Sequence, residues 1–156
     1  MLLSPYHAVV RRLVRRGLAQ VGSGRTEDVA RQFSPGATLR FSGTHALGGE
    51  LRGREQIAAF FARLRRLFPN LRLTPLDIVV AGPPWATVVA TRFRVDAVLP
   101  GGEAYQNEGV QYLRIRWGAI AEDLLYEDTA KLREAFAVIA AAGNAEALAA
   151  SVLSET

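Results

Sequence analysis

The sequence predicts an α+β fold, in which helices and an antiparallel sheet occupy separate stretches of one chain. Before residue 70, apolar residues recur at three- and four-residue steps, which is helical spacing. From residue 71 to 127, apolar stretches of strand length alternate with turns rich in glycine and proline. One more helical pattern follows. We therefore expect one domain over residues 1–156, with a core at about 8–140 and a helical tail at 141–156.

Three helices are predicted in the first half of the chain. Residues 9–21 form an amphipathic pattern, and Thr26 can cap a short helix that reaches about Phe33. Ser34-Pro35-Gly36 predicts a turn. Residues 54–68 carry the clearest apolar stripe, which ends at Pro69-Asn70.

The strands are predicted from alternation and turn signals. Pro75 indicates a bulge or a sheet edge, and Pro100-Gly101-Gly102 indicates a hairpin. Asp128 precedes the last helix as its predicted cap. The predicted strands cover residues 37–42, 71–81, 85–99, 103–116 and 119–127, with a loop at 43–53.

Composition excludes several classes of protein. With 49% hydrophobic and 22% charged residues, the chain has the balance of an ordinary globular domain. No run of eighteen apolar residues occurs, which argues against a transmembrane span, and no signal-peptide pattern opens the chain, so we expect a cytoplasmic protein. There is no cysteine, which excludes disulfides and thiolate chemistry.

The net charge of +4 would permit weak attraction to nucleic acid or anionic lipid. Arg11, Arg12, Arg15 and Arg16 fall on the polar face of the first helix, and a docking role for that face is one hypothesis. A solvated helix face explains them more simply, so we expect neither a nucleic-acid nor a membrane partner. His7 and His45 are far apart, and no nucleotide-binding motif occurs, so we expect no metal and no cofactor.

Several fragments, in their order and spacing, resemble SnoaL-like proteins of the nuclear transport factor 2-like (ketosteroid isomerase-like) superfamily. They are Gly24-Arg25-Thr26-Glu27-Asp28-Val29, Gly53-Arg54-Glu55 before a helix ending in Phe68-Pro69, and residues 113–122 followed by Asp128. The resemblance covers about residues 8–140. It implies a cone formed by a curved antiparallel sheet and N-terminal helices, a pocket for a small apolar molecule, and a homodimer through the sheet.

The resemblance also implies site positions. The catalytic aspartate of the polyketide cyclases corresponds to Leu125, their pocket histidine to Gln111, and the base of ketosteroid isomerase to Phe41. Arg94-Val95-Asp96 is similar to the Arg-x-Asp pair of limonene epoxide hydrolase, whose second aspartate again corresponds to Leu125. Asp123 lies two residues earlier on the same strand face and could replace it.

Three functions therefore remain open. The first is an enzyme with isomerase- or cyclase-type acid–base chemistry, although leucine stands at the usual aspartate. The second is a non-catalytic protein that binds a small hydrophobic ligand. The third is an epoxide-hydrolase-like enzyme that uses Arg94 and Asp96.

Strand alternation predicts the pocket without the family. A hairpin turning at Gly101-Gly102 would pair Pro100 with Glu103 and Asp96 with Asn107. One face would then collect Arg92, Arg94, Asp96, Tyr105, Asn107 and Gln111. We expect this face to line the pocket, with Asp96 and Arg94 as the catalytic pair. The alternative is that it is exposed and that Phe93, Val95 and Val110 face the core.

The predicted ligand contacts extend beyond that face. Asp123 and Leu125 are placed on the far wall, and His45 is placed in a glycine-rich loop at the pocket mouth. The full predicted set is Tyr105, Asn107, Gln111, Asp123, Leu125, Phe41, His45 and Phe61.

Overall fold

The computed structural model describes residues 4–150 and confirms the α+β class. Six strands form one curved, unclosed sheet in the order β2-β1-β6-β5-β4-β3. The helices are α1 (Pro5–Gly22), α2 (Thr26–Arg31), α3 (Arg54–Leu67) and α4 (Thr129–Ala141), followed by a 3₁₀ turn at Ala145–Leu148. The strands are β1 (Phe33–Phe41), β2 (Gly49–Arg52), β3 (Arg72–Ala81), β4 (Thr87–Val98), β5 (Ala104–Arg116) and β6 (Ala119–Glu127).

The sheet is mixed, because β1 runs parallel to β6 while the other pairs are antiparallel. The prediction of a wholly antiparallel sheet is therefore wrong for this one pair. α3 joins the β1–β2 edge to the β3–β6 meander, and the chain returns so that β6 lies beside β1.

The first strand begins earlier than predicted. Ser34-Pro35-Gly36 belongs to β1, where a register shift against β6 between Phe33 and Thr38 absorbs the proline and glycine. The predicted loop at 43–53 contains β2, which pairs with β1 and buries Leu51 opposite Leu39. Four residues are too few to show a clear alternation, which is why the sequence did not reveal this strand.

The core lies on one face of the sheet, here called the inner face, which carries Phe93, Val95 and Leu113. The larger apolar cluster joins this face to α2, α3 and α4, and a smaller cluster joins α1 to β3, β4 and β5. The opposite face, here called the open face, exposes Arg92, Arg94 and Val110. One covered face and one exposed face produce the alternating burial along β4 and β5.

The β4–β5 hairpin pairs one residue away from the predicted register. Val98 lies opposite Ala104 and Asp96 opposite Gln106, because Leu99 N–H donates to the Glu103 carbonyl and lengthens the loop. Gly102 adopts φ 87°, a conformation that favours glycine. A one-residue slip moves the side chains of a strand to the other face of the sheet. Arg92, Arg94 and Asp96 of β4 therefore do not share a face with Tyr105 and Asn107.

The helix ends agree partly with prediction. The Asp128 side chain accepts hydrogen bonds from the backbone N–H groups of Ala130 and Lys131, which confirms its role as the cap of α4. Thr26 is the first residue of α2 instead of its cap, and Arg25 precedes it without a side-chain cap bond. The predicted tail helix is a short 3₁₀ turn, and its last residues, 151–153, lie outside the described residues.

Candidate active site

A cavity of about 460 Å³ opens between the inner face of the sheet and the helices. Its volume suits a small organic ligand. Most of the wall is apolar or aromatic, including Phe41, Phe60, Phe61, Phe68, Phe93 and Leu125. The few polar groups on the wall are therefore the candidates for specific contacts and for chemistry.

Asp123 is the most deeply buried carboxyl group on this wall, with 1% of its surface exposed. Gln111 Nε2 donates a hydrogen bond to Asp123 Oδ2 over 3.1 Å. The other carboxyl oxygen, Oδ1, has no hydrogen-bond partner among the described residues. Burial raises the pKa of Asp123 to about 7, although the bond from Gln111 acts in the opposite direction.

A carboxyl group that titrates near neutral pH can both accept and donate a proton under ordinary conditions. General acid–base catalysis is most effective when the pKa of the group lies near the working pH. The geometry agrees with this role, since one oxygen of Asp123 is held by Gln111 and the other has no partner among the described residues. Perturbed carboxyl groups of this kind are concentrated at functional sites.

Two more acidic residues line the cavity, Asp28 of α2 and Glu127, and Glu127 lies two residues beyond Leu125 on the same strand face. Burial raises its pKa to about 7 as well. Glu127 was not among the predicted site residues, although alternation along β6 places it on the face of Asp123 and Leu125. Glu127 is the last residue of the strand and precedes the capping Asp128, so the alternation along β6 did not single it out.

Tyr105 and Asn107 lie on β5, near Glu127 of β6. Asn107 is buried behind the cavity wall, where its Nδ2 donates to the Tyr105 hydroxyl over 2.9 Å and to the Asp128 carbonyl over 3.0 Å. The Tyr105 ring stacks on Phe68 with centroids 5.3 Å apart. Burial raises the pKa of Tyr105, so its hydroxyl stays protonated at neutral pH and can donate a hydrogen bond.

Arg94 and Asp96 lie on the open face, outside the cavity. Arg94 Nε donates to Asp96 Oδ2 over 2.8 Å, and Gln106 Nε2 donates to the other oxygen. The hydrogen bond from Arg94 holds the pKa of Asp96 below its usual value. The predicted placement of this pair in the pocket is wrong, because the longer hairpin loop changes the β4–β5 register.

The remaining predicted contacts divide into two groups. Phe41, Phe61, Tyr105, Gln111, Asp123 and Leu125 all line the cavity. His45 lies outside it: its Nδ1 accepts from Leu47 N–H, its Nε2 bonds to the Ser42 carbonyl, and its ring packs edge-on against Phe41. Burial lowers the pKa of His45, consistent with a neutral ring that supports the loop.

α1 contributes one side of the cavity and the route to solvent. Val9 and Leu13 line the cavity yet expose 52% and 47% of their surface. Arg16 and Arg25 are also on the wall and belong to α1 and to the N-terminal end of α2. The C-terminal end of α2 lies beside the beginning of β6, where Ile120 N–H donates to the Gln32 carbonyl. The cationic side chains of the wall thus come from the N-terminal helical region.

Within residues 4–150, no group of three or more histidine, aspartate or glutamate side chains could hold a metal ion. No helix in the same range is long and apolar enough to cross a membrane.

The family model of the SnoaL-like domain matches residues 14–123, and the chain therefore belongs to the SnoaL-like family. This places it in the nuclear transport factor 2-like superfamily, as the sequence fragments predicted. No curated protein sequence matches the chain.

Solved structures share the fold. A proposed SnoaL-like polyketide cyclase from Jannaschia sp. CCS1 has 22% identity and a TM-score of 0.68, with 90% of this chain and 98% of that chain covered. PrhC from Penicillium brasilianum has 17% identity and a TM-score of 0.74, covering 88% and 91%. A protein with a ketosteroid isomerase-like fold from Catenulispora acidiphila, solved with trimethylamine, has 22% identity and a TM-score of 0.61, covering 70% and 79%.

Proposed function

We propose that this protein is an acid–base enzyme that acts on a small, mostly apolar substrate inside the cavity, with Asp123 as the group that moves the proton. The observation that carries the proposal is the buried Asp123 carboxyl on an apolar wall, with one oxygen free of any partner in the described structure. Isomerase- and cyclase-type reactions need such a group, because each shifts a proton to or from a carbon atom.

The proposed step uses residues of this chain alone. The ionised form of Asp123 takes a proton from a carbon next to a carbonyl group of the substrate, and the electron pair of that C–H bond passes toward the carbonyl oxygen. The carboxyl group, now protonated, returns the proton to another atom of the same molecule. Gln111 keeps the carboxyl in place through Oδ2 and leaves Oδ1 for the proton. The apolar wall excludes water, which keeps the pKa of the base high enough for the transfer.

The proposal is tested by hydrogen–deuterium exchange. Cyclic apolar ketones that fit the cavity are incubated in D₂O near neutral pH, and deuterium uptake next to the carbonyl is followed by mass spectrometry. The wild-type protein is expected to accelerate uptake in at least one ketone. Asp123→Asn should lower that rate by about 100-fold or more, because loss of a general base typically costs this much.

Asp96→Asn is the matched control, because it also removes one carboxylate but on the open face. It should exchange deuterium at the wild-type rate. Equal rates for Asp123→Asn and the wild-type protein, or no accelerated exchange in any ketone that binds, would refute the proposal. Ligand binding without exchange would instead favour the non-catalytic binder. The epoxide-hydrolase alternative relied on Arg94 and Asp96, and these side chains do not reach the cavity.

Assembly and location remain predictions. A homodimer through the open face is supported by its exposed apolar side chains, which include Val79, Val98, Val110 and Tyr126. Val110→Glu should convert a dimer to a monomer in light scattering, and a wild-type protein that is already monomeric would contradict the dimer. A cytoplasmic location is the expectation from the sequence.

A further inference from the structure

Glu127, the last residue of β6, lies on the cavity wall at the end away from the beginning of that strand. It pairs with Gly109 and lies four residues beyond Asp123 on the same face of the strand. At the rise of an extended strand, these positions are roughly 13 Å apart. On the β6 side, the cavity therefore carries two separate carboxyl groups with Leu125 between them.

Glu127 has no counter-charge in the described structure. Neither a hydrogen bond nor an ion pair reaches its carboxyl group within residues 4–150. Tyr105 on β5 and the adjacent Asp128 are ionisable neighbours of Glu127, and neither is cationic. Arg16 and Arg25 also line the cavity, but neither forms an ion pair with Glu127 in the described structure. A carboxylate placed on an apolar wall in this way is stabilised by a cation that enters with the ligand.

Aromatic rings surround the same end. A Cβ at Gly109 would stand 2.6 Å from Phe93 Cζ and 2.7 Å from Glu127 Cγ, so the missing side chain lets the ring and the carboxylate approach each other across β5. Tyr105, stacked on Phe68, supplies a second pair of rings. A carboxylate among aromatic rings favours an ammonium group, because ring faces attract cations and the carboxylate supplies the opposite charge.

We propose that Glu127 binds a protonated amine of the ligand, so that the substrate class is a hydrophobic amine whose cationic nitrogen lies far from the group that meets Asp123. This inference rests on the proposed function for the location of the chemistry at Asp123. It adds that the positive charge of the ligand is recognised by Glu127, a residue different from Asp123. The apolar body of the ligand lies along Leu125 and the phenylalanine wall.

The test compares two probes of equal length, octylamine and 1-octanol, by isothermal titration calorimetry at pH 8.5. At this pH Glu127 is ionised and the amine is protonated. The wild-type protein is expected to bind octylamine at least 10-fold more tightly than 1-octanol. Glu127→Gln keeps the shape of the side chain and should reduce this preference to about 2-fold or less, with unchanged affinity for 1-octanol. Glu127→Asp, which restores the charge, should restore part of the preference.

Two further variants separate this inference from the proposed function. Asp96→Asn and Asp123→Asn each remove another carboxylate and should both keep the preference for octylamine. Equal binding of the two probes, a preference that survives Glu127→Gln, or a preference lost in Asp123→Asn would each overturn the inference. None of these outcomes depends on the deuterium-exchange result, so the two proposals can fail separately. Circular dichroism of each variant confirms that the fold is retained.

Discussion

Replacing Asp123 by asparagine should stabilise the protein more at pH 8 than at pH 5. The stability of the variant is compared with that of the wild type at the same pH. The folded protein holds this carboxyl group away from water, which favours the protonated form and raises its pKa to about 7. In the unfolded chain the group titrates at 3.8. The folded state therefore binds more protons than the unfolded state between these values, and stability falls as the pH rises through this window.

The size of the effect follows from the shift. Each pKa unit corresponds to about 1.4 kcal/mol, so a shift of about three units lowers the free energy of unfolding by about 4 kcal/mol at pH values above 7. Below pH 4 this cost is absent. Between pH 5 and pH 8 the expected loss is about 3 kcal/mol, because about two pH units of the window lie in that interval. Asparagine cannot ionise, and its amide oxygen can still accept the bond from Gln111.

Urea denaturation of both proteins at pH 5, 6, 7 and 8 measures this directly. The quantity of interest is the difference in free energy of unfolding between Asp123→Asn and the wild type, in which the other titrating groups largely cancel. It should rise by about 3 kcal/mol from pH 5 to pH 8. A difference that stays constant across this range would mean that Asp123 titrates at an ordinary acidic pH in the folded state, which contradicts the prediction.

Three further predictions concern β5 behind the cavity, the cavity wall and the open face. Gly109→Ala should lower the free energy of unfolding by about 1–3 kcal/mol in urea denaturation, because its Cβ would stand within 3 Å of Phe93, Glu127 and the Tyr126 carbonyl, and a wild-type midpoint would contradict this. Leu125→Trp should fill the cavity and weaken octylamine binding by at least 10-fold in calorimetry while the protein stays folded; undiminished binding would place the ligand elsewhere. Asp96→Asn should leave the urea midpoint and any deuterium exchange at wild-type values, and a large loss of exchange would return Asp96 to the catalytic site.

The sequence predicted most of the residues that line the cavity, but it added residues of β4 that lie on the open face. The bounds of β6 and the shared face of Asp123 and Leu125 follow from simple alternation, and the structure confirms both. Tyr105 and Gln111 also lie on the inner face as predicted. The predictions were wrong for Arg92, Arg94 and Asp96 of β4, which were assigned to that face. They were also wrong for two ligand contacts: His45 lies outside the cavity and Asn107 is buried behind its wall.

The reason for the error on β4 is local. Pro100-Gly101-Gly102 is compatible with a two-residue turn or with a longer loop, and only the hydrogen bond from Leu99 N–H to the Glu103 carbonyl distinguishes them. One additional residue in the loop shifts the β4–β5 register by one position. The other set of β4 side chains then shares a face with Tyr105. The polarity of Arg92, Arg94 and Asp96 agreed with an exposed face, and the alternative interpretation already placed Phe93 and Val95 in the core. It was wrong for Val110, which is exposed.

Other features depend on contacts distant in sequence. β2 is defined by its pairing with β1, and the parallel contact of β1 with β6 joins segments about 80 residues apart. The raised pKa of Asp123 is likewise a property of the assembled wall, because burial by several elements causes it. Residue type and spacing place Asp123 on the correct strand face, but they do not show that the protein removes it from water.

The central claim, that Asp123 is poised to exchange a proton near neutral pH, is tested most directly by NMR. The ¹³C shift of the Asp123 carboxyl carbon, assigned by comparison with Asp123→Asn, can be followed from pH 4 to pH 9. The expected titration midpoint is about 7. A midpoint below about 5, within the ordinary range of aspartate in folded proteins, would contradict it.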